Sequence, residues 1–159
     1  MLITQQSIEG EQGRIMGGRD AQRGFIFQSI IAMIECLDRD DWDEVKVEPD
    51  TALDKVDIQL YCDGKIQSAI QVKSSINKFG LPKVKGWLDE LEKDAPDAEE
   101  VLLYLVGDSF AEDCEKYIGQ NSDKIKKISF SYLKDICMGK IHSYVKKACP
   151  GEDVRINPN

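Results

Sequence analysis

Two stretches of alternating apolar and polar residues flank the pair Asp63-Gly64, and they constrain this chain more than any other feature. They extend over residues 56–75, and alternation around an Asp-Gly pair predicts a β-hairpin. The sequence Asp63-Gly64-Lys65 suits a three-residue loop with its glycine in the left-handed region, which places Cys62 opposite Ile66. The turn then determines which residues face each other along both strands.

This register brings three polar residues together at one end of the hairpin. Asp57 is expected opposite Gln71, with Lys73 as the diagonal neighbour of Asp57 on the same face. A two-residue loop would turn Asp57 to the other face. A carboxylate and an amide oxygen can share a hard cation, and a nearby ammonium can stabilise charge on a phosphate. A solvent-exposed polar strand that ends in lysine remains an open alternative, because it shows the same alternation.

The spacing from Asp57 to Gln71-Val72-Lys73 resembles the PD-(D/E)xK nuclease superfamily, in the variant whose second acid is glutamine, as in Mrr-like restriction endonucleases. The earlier segment 18–28 resembles the opening helix of the N-terminal nuclease domains of two kinds of antiphage effector. These are the CBASS-associated endonucleases and the antiviral STAND NTPases. The resemblance spans roughly residues 17–75, with a weaker match of element order beyond them.

The resemblance implies a metal-dependent DNA endonuclease, as the effector domain of a bacterial antiphage protein. Asp57, the side-chain oxygen of Gln71 and the carbonyl of Val72 would hold one or two Mg²⁺ or Mn²⁺ ions. Lys73 would orient the attacking water or stabilise the phosphorus. Gln28 would support the site from the first helix, and Glu48 could add a carboxylate. A catalytically inactive relative that binds DNA or a protein is the alternative.

Charge is distributed unevenly along the chain. The net charge of −8 argues against a general affinity for nucleic acid. Residues 64–88, however, contain five lysines and no acid, and four of these surround Lys73: Lys65, Lys78, Lys83 and Lys85. They could contact the phosphates of double-stranded DNA or simply balance acidic neighbours. Because one copy can neutralise few phosphates, we expect a homo-oligomer or a larger multidomain effector.

Composition excludes several other classes of protein. The five cysteines are odd in number and show no C-x-x-C spacing, so neither a zinc site nor a disulfide framework is indicated. His142 is the single histidine, which excludes a catalytic scheme built on several histidines. We expect a cytoplasmic protein without a membrane segment, because no apolar stretch reaches spanning length and the first residues do not resemble a signal peptide.

The remaining periodicities predict the order of elements. Helices are expected over 20–37, from 81 to 91, over 110–119 and over 131–148, and further strands over 45–48, 101–106 and 125–130. We assign residues 1–18 to an N-terminal arm, 19–150 to one domain and 151–159 to a tail or a linker to another domain. The predicted class is α/β (α+β), with a restriction-endonuclease-like core in which helices flank a mixed central β-sheet.

Overall fold

A five-stranded sheet forms the centre of the protein in the computed structural model, which describes residues 24–148. Its strands are β1 (Glu44–Val47), β2 (Ile58–Cys62), β3 (Lys65–Ser74), β4 (Glu100–Val106) and β5 (Ile125–Ile128). They lie in the order β1-β2-β3-β4-β5. The first three are antiparallel, whereas β4 is parallel to β3 and β5 to β4. The predicted mixed sheet is therefore confirmed.

Four helices accompany the sheet in the described part of the chain. They are α1 (24–38), α2 (Leu81–Asp94), α3 (Glu112–Gln120) and α4 (Phe130–Ala148). The helix α2 begins after Gly80 with a proline in its first turn, where the missing N–H costs nothing. Between residues 24 and 148, no helix is long and apolar enough to cross a membrane. The predicted arm and tail lie outside the described residues.

The inner strands of the sheet are buried on both faces and form two apolar clusters, whereas β1 is exposed. One cluster lies against α2 and α3 and includes Ala69, Leu88, Leu103, Leu105 and Cys114. The other lies against α1 and α4 and includes Ile34, Ile70, Tyr104, Val106 and Leu133. Alternate residues of β4 enter alternate clusters, which explains why residues 101–106 form a continuous apolar stretch. The helices on both faces agree with the α+β class predicted from the sequence.

The turn of the hairpin differs from the predicted one. Cys62 pairs with Lys65, which leaves Asp63-Gly64 as a two-residue turn. Both turn residues have positive φ, 51° and 73°, as a type I′ turn requires. The predicted three-residue loop is therefore wrong. An Asp-Gly pair suits both kinds of turn, and the type I′ form matches the natural twist of the strands.

A β-bulge in β3 compensates for the shorter turn. Tyr61 pairs with Ile66 but Leu60 pairs with Ser68, so Gln67 is an extra residue in the ladder. The bulge shifts the pairing by one residue, and beyond it Ile58 pairs with Ile70, as the predicted register requires. The end of the hairpin near Asp57 thus has the expected register, although the turn does not.

A buried polar network attaches the end of α1 to the sheet. The Glu35 carboxylate is 8% exposed and accepts a hydrogen bond from the Tyr104 hydroxyl. Arg39 follows one turn later and donates to Glu100 and to the Ser68 hydroxyl. Burial raises the pKa of the Glu35 carboxyl above its ordinary value, while Tyr104 and Arg39 oppose that rise. The folded protein therefore contains a carboxyl group that loses its proton at a higher pH than usual.

We expect Glu35→Gln to change the pH dependence of stability. Because the pKa of Glu35 is raised by folding, its contribution to stability is fully present below the pKa of the unfolded chain and is lost as pH rises through the folded pKa. Glutamine does not titrate, so the variant does not lose this stability as the pH rises. Between pH 4 and pH 8, the unfolding free energy of the variant minus that of the wild type should increase by on the order of 1 kcal/mol. Urea unfolding across that range measures it, with exposed Glu99→Gln as control. A pH-independent difference would contradict the assignment.

Candidate active site

Asp57 lies directly before β2 and is attached twice to β3. Its backbone N–H donates to the carbonyl of Ile70 at 2.8 Å. Its carboxylate oxygen Oδ2 accepts the backbone N–H of Val72 at 2.6 Å. A side chain held by its own strand pairing and by a charge-assisted hydrogen bond has little freedom to rotate. The carboxylate is therefore fixed beside the Gln71-Val72-Lys73 segment.

The electrostatic surroundings of Asp57 contain four other predicted site residues. Burial raises the pKa of the Asp57 carboxyl, and the negative charge of Glu48 adds to that rise. The Val72 N–H, the positive charge of Lys73 and the polar side chain of Gln28 all lower the pKa. Helix α1, the end of β1 and the end of β3 thus contribute side chains to one place.

Glu48 occupies the turn between β1 and the segment that leads to Asp57. Its side chain is exposed, and its backbone N–H donates to the carbonyl of Asp57 at 2.8 Å. The residue has φ of 51°, a left-handed conformation that is uncommon outside glycine. Gln28 approaches from the opposite side on α1 and is half-buried. The structure therefore brings both secondary candidates beside Asp57, as the resemblance implies.

Gln71 is far more buried than the sequence suggests. Its side chain is 1% exposed, because it follows Ala69 on the strand face that α2 covers. Gln59, on the neighbouring strand, is 5% exposed. The alternative of a solvent-exposed polar strand is therefore wrong. Among the side chains described, Gln71 Oε1 is the one buried nitrogen or oxygen that lacks a hydrogen-bond partner. Buried polar atoms are almost always hydrogen-bonded, so this oxygen is available to a water or an ion as its partner.

Lys73 lies two residues further along β3 and is half-buried. Its Nζ atom is 5.9 Å from the centre of the Trp87 ring on α2, at the outer limit of a cation–π contact. Trp87 also packs edge-on against Phe79, with ring centres 6.2 Å apart. The helical spacing of Trp87 in the sequence indicates only a core residue, so its contact with Lys73 could not be predicted. Nothing in the linear pattern distinguishes Trp87 from the other apolar residues of α2.

The donor atoms at this place suit a hard cation. Asp57 offers a carboxylate, Gln71 an unpartnered amide oxygen and Val72 a backbone carbonyl, and oxygen ligands of these types are the ones that Mg²⁺ accepts. Within residues 24–148, no group of three or more His, Cys, Asp or Glu side chains is placed to hold a metal. A metal here would accordingly depend on neutral oxygens as much as on carboxylates.

The four predicted DNA-contacting lysines divide into two locations. Lys78, Lys83 and Lys85 are exposed in the loop after β3 and on the first half of α2. Lys85 also lies 5.1 Å from the centre of the Tyr117 ring. Lys65 begins β3, eight residues before Lys73, which corresponds to roughly 26 Å along a strand. Three of these lysines thus follow β3 in the loop and on α2, whereas Lys65 lies at the turn.

Comparison with known proteins adds no identification. No family model matches the chain, and no curated protein matches it significantly.

Proposed function

We propose that this chain is a metal-dependent DNA endonuclease with a PD-(D/E)xK site in its glutamine form. One observation carries the proposal: the Asp57 carboxylate is held at 2.6 Å from the N–H of Val72, the residue that separates the buried and unpartnered Gln71 from Lys73 on β3. An acid, a neutral oxygen and an ammonium are the groups that metal-assisted phosphodiester hydrolysis requires. If Asp57 and Gln71 had only a structural role in their strands, the free energy spent on burying their polar atoms would have no explanation.

The strand arrangement supports a restriction-endonuclease-like core. That core begins with a helix and three antiparallel strands and continues with a helix, a parallel strand and a further helix. The chain has the same order from α1 to α3, and β4 pairs in parallel with β3 in the middle of the sheet. In this arrangement the site residues belong to the ends of β2 and β3, where the two strands stop pairing.

Asp57, Gln71 Oε1 and the Val72 carbonyl would hold the metal, with Glu48 as an outer carboxylate. When bound, Mg²⁺ or Mn²⁺ lowers the pKa of a water and neutralises phosphate charge. The Val72 N–H orients the Asp57 carboxylate, and this N–H and Gln28 lower the pKa of the carboxyl against the effect of its burial. Lys73 places a positive charge where negative charge develops on the phosphate oxygens. The Trp87 ring lies beside that ammonium, with its centre 5.9 Å from Nζ.

Double-stranded DNA is the substrate that we propose for this site. Lys78, Lys83 and Lys85 are exposed near Lys73, and the first turn of α2 contains no acidic residue. Few phosphates can be neutralised by so small a group, and the net charge of −8 opposes binding. We therefore include in the proposal that several copies act together, in a homo-oligomer or in a larger multidomain effector of antiphage defence.

Cleavage of supercoiled plasmid tests the proposed activity. We expect nicked and linear products with Mg²⁺ or Mn²⁺ at low salt, and no products with EDTA. A Lys73→Ala preparation, purified in the same way, controls for contaminating nucleases. Intact plasmid under every metal condition and at high protein concentration would contradict the proposal.

Binding without cleavage is a second candidate function. It is favoured by Gln71, a neutral residue at the position where the commoner form of the motif has an acid, because one fewer negative charge weakens metal affinity. A DNA fragment that is retarded in a gel but stays intact with Mg²⁺ and Mn²⁺ would support this function over the first.

A further inference from the structure

Asp94, the last residue of α2, makes a set of hydrogen bonds to the segment that precedes Asp57. Its Oδ1 atom accepts the Leu53 N–H at 2.7 Å, and its Oδ2 atom accepts the Lys55 N–H at 2.8 Å and the Thr51 hydroxyl at 2.7 Å. The side chain is buried, at 8% exposure. A single carboxylate thus fixes three residues of a segment that has no regular secondary structure.

The position of Asp94 on its helix indicates a specific role. A negative charge at the C-terminal end of a helix opposes the helix dipole, which makes an acid unfavourable there by itself. Burial acts to raise the pKa of the Asp94 carboxyl, but hydrogen bonds from Thr51, Lys55 and Leu53 outweigh it and hold the pKa below its ordinary value. The carboxylate is therefore stabilised by this segment, and the segment by the carboxylate.

We propose that Asp94 is a positioning residue for Asp57, an inference that rests on the proposed endonuclease function. The segment 48–57 contains two residues in the left-handed region, Glu48 and Asp54, so its backbone requires external support to keep one conformation. Asp94 supplies that support at residues 51–55, directly before Val56 enters the core and Asp57 reaches Val72. The path of this segment sets where the Asp57 carboxylate lies.

Helix α2 thereby connects both chemical groups of the site. Trp87 contacts Lys73 and Asp94 holds the segment before Asp57, and the two residues are seven positions apart, which is two helical turns on one face. Lys55 also forms an ion pair with Glu90 on the same helix, at 3.3 Å. The distance between the acid and the lysine therefore depends on a rigid element and not on the loop alone.

Hydrogen exchange in full-length Asp94→Asn tests the inference without any need for cleavage. Asparagine keeps the shape of the side chain, but one of the two accepting oxygens is replaced by an NH₂ group, which donates and cannot accept. We expect the amide hydrogens of Leu53 and Lys55, and also that of Val72, to exchange at least about tenfold faster than in the wild type. The exposed Asp97→Asn on the following loop is the matched control and should leave all three unchanged.

Faster exchange at Leu53 and Lys55 with an unchanged Val72 would overturn the inference, because Asp94 would then stabilise only its own loop. Thr51→Val, which removes one hydrogen bond, provides the same comparison if Asp94→Asn does not fold.

Where the wild type cleaves DNA, we also expect Asp94→Asn to lower kcat by about tenfold or more with KM for DNA unchanged. A change confined to KM would count against positioning. A wild type that does not cleave contradicts the proposed function, yet the exchange at Val72 still decides the role of Asp94.

Discussion

Asp57→Asn and Lys73→Ala are each expected to lower Mg²⁺-dependent DNA cleavage by at least about 100-fold while the protein stays folded. Asparagine keeps an oxygen that can accept the Val72 N–H but removes the negative charge that a metal needs. Loss of Lys73 removes the positive charge that stabilises the phosphate. Single-turnover cleavage rates measure both effects, and circular dichroism with thermal unfolding verifies the fold.

The comparison with Asp57→Ala separates chemistry from stability. Alanine leaves the Val72 N–H without its acceptor, so this variant should lose about 1–3 kcal/mol of unfolding free energy, whereas Asp57→Asn should not. Lys116→Ala on the exposed surface of α3 is the matched control for Lys73→Ala, because it removes a lysine far along the chain from the site. Wild-type cleavage rates in Asp57→Asn would show that the carboxylate is not a metal ligand.

Gln71→Glu is expected to unfold more easily than the wild type in EDTA, by about 3 kcal/mol, and to recover most of that loss with Mg²⁺. The position is 1% exposed, so a new carboxylate there is buried without a partner unless a cation binds. With the metal bound, a carboxylate is a stronger hard ligand than an amide, and cleavage should persist at lower Mg²⁺.

Gln71→Met gives the opposite pattern. It removes the unpartnered oxygen and should raise the unfolding free energy by about 1 kcal/mol while abolishing cleavage. Thermal unfolding with EDTA and with Mg²⁺ compares both variants, and Gln67→Glu at a half-buried position of the same strand is the control. A loss of stability in Gln71→Glu that Mg²⁺ does not reverse would contradict the assignment of Gln71 as a ligand.

The elements with strong local patterns could be predicted from the sequence. The apolar stretch 101–106 became β4, and the apolar spacing from Leu81 to Leu91 became most of α2. The pairing near Asp57 agrees with the prediction although the predicted turn is wrong, because Ile58 and Ile70 enter the same apolar cluster. Burial of these side chains sets the register there, independently of the turn.

Features that depend on contacts between distant segments could not be predicted. The bulge at Gln67 follows no local rule, since glutamine continues the alternation of the strand. Burial of Gln71 depends on where α2 packs, which the hairpin pattern does not contain. One feature of the sequence points to Asp94: it is an acid at the C-terminal end of a helix, where the helix dipole disfavours a negative charge. An exposed acid at the same position would show the same pattern, so the sequence alone does not reveal its hydrogen bonds.

The bulge also has a consequence for how this protein could change length in evolution. Deletion of Gln67 would remove the extra residue and leave Tyr61 opposite Ile66 and Leu60 opposite Ser68, so the ladder would become regular. Ile70 would keep its partner Ile58, and Ile70 and Val72 would stay in the cluster of α1 and α4. The residues of the site would therefore keep their faces of the sheet. The bulge gives this strand room to lose one residue without displacing the chemistry at its end.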